Sequence, residues 1–88
     1  MAQFQLGEVM ATREAAVKIP SIVMTLALSR HLNGDWGDVD EADKAANNRA
    51  LRYGDRLLSV YHTPDGTRFW IITEADRSCT TVLLPDNY

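Results

Sequence analysis

The most apolar part of the chain runs from residue 68 to residue 85, and its pattern predicts two β-strands joined by a polar turn. Aromatic and β-branched side chains fill residues 69–73, as suits a pleated, half-buried surface. The segment 74–78 is short and polar, and residues 80–84 resume the strand pattern before Pro85, which cannot donate to a ladder. Both faces of the first strand carry large side chains, so one face must meet the other elements.

A third strand is predicted just upstream, at residues 57–62. The sequence of 63–66, TPDG, is a strong turn signal that predicts a hairpin between this strand and residues 68–74. The C-terminal half is therefore expected to form a three-stranded antiparallel meander. Residues 4–10 predict a short strand or extended arm that would add a fourth strand at an edge.

Three helical segments are predicted in the N-terminal half. The first begins at Thr12 as an N-cap and breaks at Pro20. The second continues to Asn33 and is apolar on two sides, which predicts a well-buried helix. The third runs from an N-cap at Asp40 to Gly54, with acidic residues first and arginines last. We expect one α+β domain, 1–88, with a three- or four-stranded antiparallel sheet packed against two or three helices.

Composition and charge exclude several functions. A net charge of −3 argues against a general nucleic-acid binder, which would show a basic face. Cys79 is the only cysteine, so no intrachain disulfide can form and a cytoplasmic location is expected. The apolar segment 19–28 is too short for a membrane span, which needs about 20 residues.

The residues that carry catalysis or bind metals are scarce. Cys79, His31 and His62 are the raw material for a nucleophilic site, and each has a structural explanation. The acidic run 35–43 lacks the spacing of a calcium loop and has no histidine close by. We therefore expect no enzyme, metal or cofactor, and rank a small hydrolase last.

Two kinds of residue remain as candidates for binding. Trp36 lies in a loop between glycines, where it either plugs the core or contacts a partner. Trp70 and Ile72 would form an apolar patch, suited to a protein partner or a homodimer, if they face away from the helices. An arginine patch would instead suit a nucleic-acid accessory module, although a solvated helix face is the commoner role. That patch comprises Arg49, Arg52, Arg56 and Arg77.

The chain also resembles a family of small, largely uncharacterised bacterial proteins carried on plasmids, prophages and other mobile elements, often labelled plasmid-related proteins. The resemblance rests on the segment 34–38, GDWGD, on residues 57–61 and on the segment 70–85. It covers about two-thirds of the chain and implies no catalytic residue.

These observations predict a non-enzymatic protein-interaction module of mobile-element origin. Its partner would be a host protein, such as a nuclease-based defence complex that it inhibits in the manner of an anti-CRISPR or anti-restriction protein. The turn at 74–78 mixes both charges and is not needed for a core, which favours it as a contact surface. The predicted contact residues are Trp36, Asp38, Trp70, Glu74, Asp76 and Arg77.

Overall fold

The computed structural model describes residues 2–88, which form three α-helices and one four-stranded sheet, and so confirms the α+β class. The order along the chain is β1 (Glu8–Ala11), α1 (Arg13–Lys18), α2 (Ser21–Leu32), α3 (Glu41–Tyr53), β2 (Leu57–His62), β3 (Arg68–Thr73), β4 (Cys79–Leu83) and a 3-10 turn (Pro85–Asn87).

The sheet is mixed, so the predicted antiparallel meander is wrong as a description of it. Its strand order is β1-β4-β3-β2, and β1 runs parallel to β4 while the other pairs are antiparallel. One strand therefore precedes the helices and enters the sheet beside the last strand. Alternation of apolar and polar residues predicts that a segment is a strand. The direction in which β1 pairs depends instead on the path of the whole chain, which brings β4 next to β1.

The predicted caps explain where the helices begin. The hydroxyl of Thr12 accepts a hydrogen bond from the amide of Ala15, and the carboxylate of Asp40 accepts one from the amide of Asp43. Each cap satisfies an amide at the open first turn of its helix. The break at Pro20 separates α1 from α2, as predicted.

The main core lies between one face of the sheet and the first two helices. Phe69 and Ile71 of β3 are fully buried there against Ala15 and Ala27. A second cluster joins Trp36 to α3 and the start of β2. Side chains alternate along a strand, so Trp70 and Ile72 lie on the opposite face of the sheet.

That opposite face is covered in part by Tyr88. The ring of Tyr88 meets the ring of Trp70 edge-on at a centroid distance of 5.6 Å. Arg56 lies over the Tyr88 ring and donates to its hydroxyl. Within residues 2–88, the indole N–H of Trp70 is the one buried side-chain polar group without a hydrogen-bond partner.

The two edges of the sheet differ. At the β2 edge, the amide side chain of Asn47 bonds both the N–H and the C=O of Leu58. One step along, Val60 donates to the carbonyl of Trp36 and accepts from the amide of Asp38. The β2 edge is therefore closed, whereas all four residues of β1 are exposed at the other edge.

The longest apolar helix, α2, has 12 residues. Over the described range 2–88, no helix has the length and apolar character needed to cross a bilayer.

Candidate protein-binding groove

The outer side of α2 is exposed, so the prediction of a well-buried helix is wrong. Ile22 is 65% exposed and Leu26 is 59% exposed, one helical turn apart. Residues 21–29 include no charged side chain, so this apolar surface lacks the charged groups that usually cover a surface helix. Both sides of the helix are apolar, but only one of them packs against the core.

Beside this surface lies a groove of about 340 Å³ between α2 and the β2–β3 hairpin. Aliphatic and aromatic side chains form most of its walls. The floor is formed by Ala27 and by the buried rings of Tyr61 and Phe69. The remaining lining residues are Val23, Leu26, Arg30, His62, Thr63 and Pro64.

A charged pair fixes one end of the groove. Arg30 and Asp35 form a two-point ion pair at 2.7 and 3.2 Å, which raises the pKa of Arg30 and lowers that of Asp35. The pair holds the guanidinium 4.7 Å above the ring of Tyr61. Burial raises the pKa of Tyr61 to about 12, and its hydroxyl donates to the Asp35 carbonyl. This wall is therefore preorganised before any partner binds.

The predicted contact residue Trp36 lies in the core rather than on the surface. It is 3% exposed, and its indole N–H donates to the side chain of Asn48 at 3.2 Å. Its neighbour Gly37 pairs with Val60, and a Cβ at Gly37 would overlap the carbonyl oxygen of Val60. The GDWGD segment therefore has a structural role, which is to close the β2 edge.

The other predicted contact residues do not form one surface. Asp38 is exposed and lies 3.9 Å from His62 at the rim of the groove. Trp70 is half-buried beneath Tyr88 on the far face of the sheet. Only Asp38 is close to the groove.

The turn at 74–78 joins distant parts of the fold. Arg77 points inward and donates to the carbonyls of Ala50, Asp55, Glu74 and Ala75. Hydrogen bonds from the side chain of Ser78, and secondarily from its backbone amide, lower the pKa of the Asp76 carboxyl. Glu74 contributes backbone hydrogen bonds to Cys79 and Arg77. The charges of Arg77 and Asp76 thus have a structural explanation, whereas Glu74 contributes through its backbone.

The residues considered for catalysis are dispersed. His31 and Ser59 lie 2.6 Å apart, a distance suited to a base and a nucleophile, but both are 0% exposed. His62 stands at the rim of the groove, and Cys79 is on the far face of the sheet, beside Glu8. In the part of the chain that the structure describes, no three His, Cys, Asp or Glu side chains gather as metal ligands.

A second exposed surface lies on α3. Arg49 and Arg52 line a shallow depression with Asn48 and Tyr53, and Tyr53 is 67% exposed. The other two predicted arginines are engaged elsewhere, Arg56 with Tyr88 and Arg77 with backbone carbonyls. The arginine patch is thus smaller than predicted.

The groove is the feature that sequence reasoning missed. Its signal was the two-sided apolar pattern of α2, which fits both a buried helix and a binding surface.

Comparison with protein-family models, with curated proteins and with solved structures finds no match. The resemblance to the mobile-element family therefore stays a prediction.

Proposed function

We propose that the protein is a non-enzymatic interaction module that binds a partner protein in the groove between α2 and the β2–β3 hairpin. The observation that carries the proposal is the exposure of Ile22 and Leu26 beside an apolar groove of about 340 Å³. Exposed apolar surface of this kind marks binding sites in folded proteins. An amphipathic helix that inserts one large apolar side chain above Tyr61 and Phe69 suits its shape.

The charged residues at the two ends of the groove indicate what net charge a partner can carry. Arg30 and Asp35 neutralise each other at one end, and Lys18 and Asp65 stand near the other end. Both signs are present, so the recognition is expected to depend on apolar contact more than on net charge.

The biological role we propose is that of a mobile-element protein that binds and inhibits a host defence nuclease in the bacterial cytoplasm. Small size, an acidic balance and the family resemblance support this role. The groove supplies the surface that such an inhibitor would use.

The test compares the wild-type chain with two variants as bait in bacterial lysate. Leu26→Glu puts a charge in the groove, and Val17→Glu puts the same charge on α1 at a residue that is 79% exposed and outside the groove. We expect a partner that the wild type and Val17→Glu retain and that Leu26→Glu recovers about tenfold less, since a binding hot spot contributes about 2 kcal/mol or more. Equal recovery by all three proteins contradicts the proposal. Nuclease activity of the captured partner, measured with and without the protein, then tests the inhibitor role.

A second candidate function rests on the α3 surface. Arg49 and Arg52 beside the exposed ring of Tyr53 could contact a phosphate backbone and stack on a base. A gel shift with single-stranded DNA at low salt would support a nucleic-acid accessory module if Arg49→Ala and Arg52→Ala each weaken binding and reduce its salt dependence. Absence of binding at low salt contradicts it.

A further inference from the structure

The β1 edge of the sheet is open and apolar. In the parallel ladder with β4, Glu8 donates to the Ser78 carbonyl and Thr12 donates to the Val82 carbonyl. The backbone groups of Val9 and Ala11, between them, therefore point away from the sheet. Val9 and Met10 are 46% and 42% exposed. Natural sheet edges of this kind are usually covered by other groups or protected by charged residues or proline. The β2 edge is covered in this way by the side chain of Asn47.

The extended run at this edge has sharp ends. It begins after Gly7, whose φ of 66° turns the chain, and it ends at Thr12, where α1 begins. Residues 8–12 are thus available for pairing, with Met10 at the centre. Because Met10 is the middle residue of this run, a second copy that runs antiparallel about Met10 can pair along its full length, and the twofold contact uses the same residues on both copies.

We propose that two copies of the chain associate through β1, antiparallel about a twofold axis at Met10, and so join their sheets into one. In this register Val9 of each copy faces Ala11 of the other. The backbone N–H and C=O groups of these two residues point away from β4. Each Val9–Ala11 pair would therefore form two hydrogen bonds, with the N–H of each residue donating to the C=O of the other. The site is separate from the α2 groove and does not depend on the proposed function.

Charge supports this register and the choice of a second copy. Glu8 of one copy faces Thr12 of the other and stands next to its Arg13, so opposite charges meet. If the register moved by two residues toward α1, Glu8 would face Glu14 of the other copy. If it moved the other way, Gly7 would enter the ladder. Pairing about Met10 is the register that uses the whole run and avoids both.

The size of the contact sets its strength. A five-residue strand pair falls in the class of small interfaces, below about 1,200 Å² of total buried surface, which are weak or transient. We therefore expect a monomer–dimer equilibrium in the micromolar to millimolar range.

The experiment is sedimentation equilibrium of the full chain over that range, with edge variants. Val9→Pro removes an outward N–H that the monomer fold does not use, and Val9→Thr keeps it as the matched control. We expect Val9→Pro to raise the dimer dissociation constant at least about tenfold and Val9→Thr to change it about threefold or less. Circular dichroism checks that each variant folds.

A charge swap tests the register. Glu8→Arg and Arg13→Glu should each weaken association, and the double variant should restore it. If the wild type stays monomeric to millimolar concentration, the proposal is overturned and the edge is left for a strand of another protein. A dimer that survives Val9→Pro but is lost in Leu26→Glu also overturns it, because the α2 groove would then form the interface.

Discussion

The Nδ1 atom of His31 accepts a hydrogen bond from the hydroxyl of Ser59 at 2.6 Å, deep between α2 and β2. The direction of this bond follows from its neighbours. Thr80 donates its one hydroxyl proton to the carbonyl of Leu6, so it accepts from Thr73 at 2.7 Å. Thr73 in turn accepts from Nε2 of His31 at 2.9 Å. Nε2 of His31 therefore carries a proton. Because burial lowers the pKa of His31 to about 4, the ring is neutral at pH 7, so Nδ1 has no proton and accepts from Ser59. The network links α2 directly to β2 and β3, and through Thr73 to β4.

Acid should destabilise the protein through His31. Burial, and secondarily the charge of Arg77, lower the pKa of His31 from 6.5 to about 4. The unfolded imidazole takes up a proton below about 6.5, whereas the folded one resists until about 4, so stability falls as pH falls through that window. The full loss is about 3 kcal/mol, and urea unfolding at a series of pH values would measure it.

Two histidine variants isolate this effect from the titration of carboxylates. His31→Gln removes the buried imidazole, and the pH dependence of its unfolding free energy should be flatter than that of the wild type between pH 6.5 and 4. His62→Gln replaces the exposed histidine and serves as the matched control. Parallel curves for wild type and His31→Gln would contradict a neutral, buried His31.

The buried network should be sensitive at its centre. Thr73→Val keeps the shape of the side chain but leaves Nε2–H of His31 without an acceptor, at a cost of about 1–3 kcal/mol. Thr81→Val is the matched control, because Thr81 is half-buried on the other face of the sheet and, within the described residues, makes no side-chain hydrogen bond. Chemical denaturation of both variants checks the difference, and equal losses would contradict the network.

The network also shows where prediction from sequence ends. Thr12, Asp40 and Gly54 mark helix ends by local chemistry, and the structure has helix boundaries at all three. The sequence predicts that His31 lies near the end of a helix. It does not predict that His31 is buried, because its hydrogen-bond partners lie 28 and 42 residues away along the chain. Long-range pairing likewise decided the parallel direction of β1.

The candidate groove illustrates the same limit. An apolar helix face is equally compatible with a core and with a binding surface, and only the placement of α2 over the sheet separates them. Ala27 faces inward and is buried, whereas Leu26, the adjacent residue, is exposed. The predicted contact at Trp36 shows the reverse case, because its burial depends on Phe4 and α3 rather than on its glycine neighbours.

Closure of the β2 edge should depend on a glycine at position 37. Gly37 and Gly66 both have positive φ, 77° and 89°, but a Cβ at Gly37 would overlap the Val60 carbonyl while one at Gly66 meets open space. Gly66→Ala should cost about 1–2 kcal/mol from backbone strain alone. Gly37→Ala should cost clearly more, measured by thermal unfolding of the two variants. Equal costs would show that the chain at Gly37 moves away from β2 freely.

Arg77 distinguishes a structural turn from a binding surface. Its guanidinium donates to the carbonyls of Ala50 and Asp55 at 3.0 and 2.6 Å, and so attaches the end of α3 to the β3–β4 turn. Arg77→Ala should lower the unfolding free energy by about 2 kcal/mol, since hydrogen bonds from charged donors contribute about 1.5–3 kcal/mol. Arg77→Lys should recover only part, because an ammonium cannot reach divergent carbonyls as a planar fork does.

The control for Arg77 is Arg49→Ala, which removes an arginine from the exposed surface of α3 and should change stability by less than about 0.5 kcal/mol. Urea unfolding of all three variants gives the comparison. If Arg77→Ala were as stable as Arg49→Ala and yet lost a captured partner, the 74–78 turn would be the contact surface after all. A stability loss with retained binding, after correction for the folded fraction, assigns Arg77 to the fold and leaves partner recognition to the α2 groove.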